Sequence, residues 1–111
     1  MFALDNPEEL QSKVVNTAAG GTVAAIPAQA GLRIYVFAME LVLASSTTVE
    51  FKSGSTTLTG PQTMTVKVLD ILHSGTGKDL ARYECGVNEA FNLVFGSTVQ
   101  CSGVIYYVYG A

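Results

Sequence analysis

The chain has no tryptophan, one histidine, two cysteines, three prolines and only 14% charged residues among its 111. Each shortage excludes something. A nucleophilic Ser or Cys needs a nearby base, and His73 is the only imidazole to supply one. A zinc-type centre needs three or four ligands; one histidine and two cysteines with fifteen residues between them fall short. Two cysteines do not make a disulfide framework. The net charge is −3, so the basic footprint of a phosphate-backbone binder is missing. The longest apolar run, residues 32–44, contains Glu40 and is shorter than the ~20 residues a bilayer span requires. The first residues are acidic and carry no apolar leader. The expectation is a soluble, cytoplasmically made protein with no cofactor, no metal, no nucleic acid and no membrane partner.

Two local patterns invite chemistry and fail on spacing. Gly77-Lys78 matches the Gly-Lys pair of a phosphate loop, but Leu72 stands where the first glycine belongs and Asp79 where Ser or Thr belongs. The segment 73–79 is expected to be a solvated hairpin loop. His73 and Ser74 are adjacent, and adjacent side chains on an extended segment point to opposite faces. Asp70 or Asp79 could orient His73, yet nothing places a nucleophile beside it. Glu40 and Glu89 sit among apolar neighbours and are expected to form ion pairs, with Arg33 and Arg82 available. No spacing selects a carboxylate pair of the glycosidase kind. A small hydrolase on a β-sandwich is therefore the weakest of the functional readings.

What is present is β-structure. Apolar residues make up 49% of the chain, enough for one domain with its own core. Strands are expected over residues 12–17, 22–26, 32–44, 47–51, 64–72, 80–83, 87–95 and 98–109, with glycine, serine or proline at nearly every boundary. If Gly96-Ser97 turns a hairpin, Cys101 faces Asn92 and Cys85 faces Val108, too far apart for a disulfide in that hairpin. Both are expected to be buried free thiols, a disulfide through another strand arrangement being the alternative. Residues 1–13 differ. Asn6-Pro7-Glu8-Glu9 suits a helix start, and Asp5, Glu8 and Glu9 have no base near them, whereas the rest of the chain carries six acids and six bases. The division expected is an N-terminal arm or helical turn over 1–13 and an antiparallel, jelly-roll-like β-sandwich over 14–111.

Two strands are apolar on both faces. In residues 32–44 the odd positions include Tyr35, Phe37, Met39 and Leu41, and the even positions are almost as apolar. The same holds near Tyr107 and Tyr109. A strand buried on both faces needs a second cover, and a sister subunit would supply it. Tyr35, Phe37, Met39, Leu41, Tyr107 and Tyr109 are the expected subunit interface.

At mid-chain stands Val49-Glu50-Phe51-Lys52-Ser53-Gly54-Ser55-Thr56-Thr57-Leu58-Thr59-Gly60-Pro61. It is a strand, a turn at Ser53-Gly54, a short return strand and a Gly-Pro stop, with Val49 and Phe51 pointing into the core. Downstream come Gly86-Val87-Asn88-Glu89-Ala90-Phe91-Asn92-Leu93 and Val99-Gln100-Cys101-Ser102-Gly103-Val104-Ile105-Tyr106-Tyr107-Val108, and upstream Ala28-Gln29-Ala30-Gly31-Leu32-Arg33-Ile34-Tyr35-Val36. In this order the blocks resemble the small structural proteins of tailed-bacteriophage virions, over residues 14–108. The resemblance implies a non-enzymatic virion protein of the capsid decoration (cement) or another accessory kind, and decoration is the leading expectation. It would have a jelly-roll-like sandwich, form a homotrimer and bind the phage major capsid protein on the capsid exterior. The arm, through Asp5, Glu8 and Glu9, is the expected capsid contact. The alternative is a tail or fibre module that binds a receptor or glycan.

Overall fold

The computed structural model describes residues 11–18, 20–64, 68–71 and 81–110, with the backbone alone for 68–71. The chain is an all-β sandwich of two antiparallel sheets. Its strands are β1 (Gln11–Thr17), β2 (Gly21–Ile26), β3 (Arg33–Leu43), β4 (Thr47–Ser53), β5 (Thr56–Thr57), β6 (Gln62–Met64), β7 (Val68–Ile71), β8 (Tyr83–Glu84), β9 (Phe91–Phe95) and β10 (Cys101–Gly110). The first sheet runs β1-β10-β3-β7, with β8 also on β3. The second runs β2-β9-β4-β5, with β6 also on β4. The core between them takes Ile34, Val36, Met39, Leu41, Leu43 and Ile105 from the first sheet, and Val49, Phe51, Phe91, Leu93 and Phe95 from the second.

Alternation explains most of the second sheet. In β4, Thr47, Val49, Phe51 and Ser53 are buried while Thr48, Glu50 and Lys52 are not, the pattern of a strand with one dry face. β9 repeats it with Phe91, Leu93 and Phe95. Gly54 and Ser55 form the two-residue turn between Ser53 and Thr56, which pair. Gly54 has φ +56°, a conformation that costs glycine little. Three aromatic rings, Phe51, Tyr83 and Phe91, cluster with centroids 5.5 to 6.1 Å apart.

The long strand β3 is not regular. Ala38 pairs with Tyr106 and Val36 with Tyr107, so Phe37 is one extra residue in the register of β3 against β10. Such a bulge flips the side-chain alternation. Even residues Ile34 and Val36 face the core before it; odd residues Met39, Leu41 and Leu43 face the core after it. On β10 the alternation is unbroken: Cys101, Ile105 and Tyr107 all lie in the core cluster. This accounts for much of the doubly apolar appearance of residues 32–44. The core set changes parity halfway along.

Three sequence expectations are corrected. Gly96-Ser97 does not turn a hairpin, because β9 and β10 belong to different sheets. The strand expected over 64–72 is divided: β6 pairs with β4 in the second sheet and β7 with β3 in the first. The strand expected over 87–95 begins only at Phe91. Asn88 has φ +66°, and its Oδ1 accepts from the Gly31 backbone N–H, holding a turn where a strand was expected. Cys85 and Cys101 are free and fully buried, as expected.

Candidate interaction surface

The two sheets differ on their outer faces. On the second, Glu50 and Lys52 alternate with the buried residues of β4, Glu50 accepts from the Thr57 hydroxyl at 2.6 Å, and Asn92 donates to the Gly54 carbonyl at 2.9 Å. Polar groups on that face bond one another, and Val94, half-buried, stands beside Glu50. The first sheet carries three apolar side chains outward in the open: Val14, 72% exposed, Val42, 41%, and Tyr106, 41%. The register sets them in rows. Val14 lies beside Val104, and Val104 beside Glu40; Ser12 lies beside Tyr106, and Tyr106 beside Ala38; Asn16 lies beside Ser102, and Ser102 beside Val42. Val104 and Ala38 are half-buried. The result is a surface across β1, β10 and β3 on which Val14, Val104, Tyr106, Ala38 and Val42 stand among exposed Ser12, Asn16 and Ser102 and the carboxylate of Glu40. Grouped apolar side chains mark an interaction site more often than isolated exposed residues do.

This is not the expected interface. Met39 and Leu41 are each 1% exposed and belong to the core between the sheets; they offer no surface to a second chain. Tyr107 is in the same core, and its hydroxyl donates to Gln11 Oε1 at 3.2 Å. Tyr109 packs against that core and donates to the Pro27 carbonyl at 2.7 Å. Tyr35 and Phe37 do point away from the core, but with Val108 they form a second cluster, packed by Ala81 and at most 5% exposed within one chain. Asp5, Glu8, Glu9, His73, Ser74 and Asp79 lie outside the described residues, as does the helix start at Asn6. Gln11 and Lys13, assigned to the arm, lie in β1.

The groups that carry chemistry are engaged in structure. Ser53 Oγ donates to Glu89 Oε1 at 2.5 Å and accepts from the Gly86 N–H at 2.8 Å. The Gly54 N–H donates to the Ala90 carbonyl at 2.8 Å. This knot joins the mid-chain block at residues 49–61 to the downstream block at 86–93. A Cβ on Gly86 would lie 2.6 Å from Glu89 Oε1. Glu89 thus serves Ser53 rather than an arginine; Arg33 instead pairs with Glu84 at 3.3 Å, and Arg82 lies 6.0 Å from the Tyr83 ring centre. Burial pushes the Cys85 thiol up to about 11, with Glu89 and Glu84 adding to the rise against a hydrogen bond with Ser53. A thiol so protonated is a poor nucleophile. Among the described residues, no cluster of His, Cys, Asp and Glu could hold a metal ion.

No family model, no curated protein and no solved structure matches this chain. The outer face of the first sheet is the candidate site on its own geometry. Sequence reasoning missed it because Val14, Val42 and Tyr106 each neighbour an equally apolar residue, and only the register says which of each pair faces out.

Proposed function

We propose that this chain is a non-enzymatic capsid decoration protein, which stabilises an assembled phage head by binding its major capsid protein from outside. The observation that carries the reading is the difference between the outer faces: on one, polar groups bond one another, and on the other Val14, Val42 and Tyr106 stand in the open. The block resemblance supplies the kind of particle. The homotrimer belongs to the same proposal, as does the jelly-roll winding. The strand order supports that winding, because β1 to β2, β3 to β4 and β9 to β10 each pass from one sheet to the other. The non-enzymatic reading draws on the engagement of Ser53 by Glu89 and Gly86 and on the protonated Cys85 thiol.

The mechanism is linkage. A ligand that binds only the assembled state stabilises it by mass action. Shell subunits bridged by this protein separate only by giving up the bridge's binding energy. The test is co-sedimentation of the purified protein with assembled heads that lack it. Saturable binding, and heads that resist heat or chelation better when coated, is the expected outcome. Heads that neither bind it nor gain stability overturn the proposal, and saturable glycan binding in its place would move the chain to the tail or fibre class.

A further inference from the structure

Sheet edges expose unpaired backbone donors and acceptors, and proteins blunt them with short strands, bulges, prolines or charges. The described edges of this sandwich are blunted in that way except one. β5, β6, β7 and β8 have two, three, four and two residues. β2 pairs irregularly with β9, leaving Ala25 without a partner, and Pro27 follows its end. β1 is different. All seven of its residues pair with β10 in unbroken register, no described strand pairs with its other side, and it has one charge, Lys13, and no proline. It also carries the most exposed of the large hydrophobic residues, Val14. Beside it an open cleft of about 300 Å³ runs along the edges of β1 and β2, walled by Val15, Val23, Ala24 and Ala25 among others.

We infer that β1 pairs with β1 of a second copy, antiparallel about a two-fold axis through Val14, so that the two first sheets run on as one. The occupant follows from the strand's own pattern. Antiparallel pairing that keeps both outer faces on one side sets residues of equal parity opposite each other. Centred on Val14, the middle of the seven residues, it sets Val14 against Val14, Ser12 against Asn16, Gln11 against Thr17 and Lys13 against Val15. Every residue of β1 gains a partner, no like charges stand directly opposite, and polar pairs with polar on the outer face. The two Lys13 meet only on the diagonal, ~7–8 Å between backbones. The contact also joins the two outer faces across the Val14 pair. A two-fold contact uses the same patch on both partners, whereas a three-fold ring cannot bring β1 against β1. The assembly therefore holds an even number of chains, either a dimer or two of the proposed trimers joined.

The test is register-specific cross-linking with light scattering. Cys85 and Cys101 are buried, so introduced thiols report alone. Val14→Cys is expected to form a disulfide-linked dimer on mild oxidation. Ser12→Cys, four positions from its own copy in this register, is expected not to, while Ser12→Cys with Asn16→Cys together regains the cross-link. Wild-type protein is expected to scatter as an even-numbered assembly at high micromolar concentration, and Val14→Glu to halve its mass. Val14 is so exposed that these variants keep the fold, which circular dichroism checks. A monomer, a trimer without the Val14→Cys cross-link, or equal cross-linking of Val14→Cys and Ser12→Cys overturns the inference. Head binding is read separately, by co-sedimentation, so it and the β1 pairing fail separately, while a simple dimer would support the pairing and overturn the homotrimer.

Discussion

At the residue scale, the protein rests on a few positions where backbone and side chain leave no slack. Ser53 is one. It is 3% exposed and satisfies both the Gly86 N–H and the Glu89 carboxylate. Removing the hydroxyl leaves both partners short, so Ser53→Ala is expected to cost about 2 kcal/mol in urea denaturation. Gly103 is another: a Cβ there would fall on the Glu40 carbonyl of the neighbouring strand. Gly103→Ala is expected to cost about 3 kcal/mol or to prevent folding, judged by soluble yield and melting temperature. Cys85 gives a pH test. Its folded-state value is raised from 9.0 to about 11, so between those values the unfolded chain has lost a proton that the folded chain keeps. Stability is full below pH 9 and falls as pH rises toward 11, by up to about 2 kcal/mol. Denaturant titrations across that range should show the decline, and Cys85→Ala should remove the part owed to Cys85.

At the element scale, the bulge in β3 matters most. Phe37 lets Ile34 and Val36 face the core together with Met39, Leu41 and Leu43. Without the extra residue one half of the strand would turn its apolar set outward. Deleting Phe37 is therefore expected to abolish the fold or cost well over about 3 kcal/mol, whereas Phe37→Ala keeps the register and costs less; melting curves of the two variants decide. A deletion no worse than the substitution would show that the bulge is incidental. The period-two pattern of β4 and β9 was legible in the sequence because their alternation is uninterrupted. That of β3 was not, since a bulge leaves no mark in a run where nearly every residue is apolar.

At the scale of the whole molecule, the asymmetry between the faces is what partners meet. Under the decoration proposal, Val42→Asp with Tyr106→Asp on the first sheet should weaken head binding at least about tenfold, equivalent to ~1.4 kcal/mol. Glu50→Lys on the second sheet should leave it unchanged. Both are read by co-sedimentation at matched salt. Equal loss from both faces would point to general surface charge instead. The open face is only half visible in the sequence: the strands that build it are expected, but the pattern puts Met39 and Leu41 at a subunit interface and does not separate Tyr106 from its apolar neighbours in 106–109.

The amino-acid sequence by itself determined the all-β class, most strand positions, the Gly54 turn, the inward course of Val49 and Phe51, and the buried thiols. These follow from local physics: alternation, β-branching, and glycine or proline where a ladder must stop. Tertiary structure alone decided which sheet each strand joins, which half of β3 turns which way, and that no other described strand covers the outer edge of β1. Those are properties of register and pairing between segments far apart in the chain. A single residue of slip at Phe37 exchanges core for surface without changing one letter of local pattern.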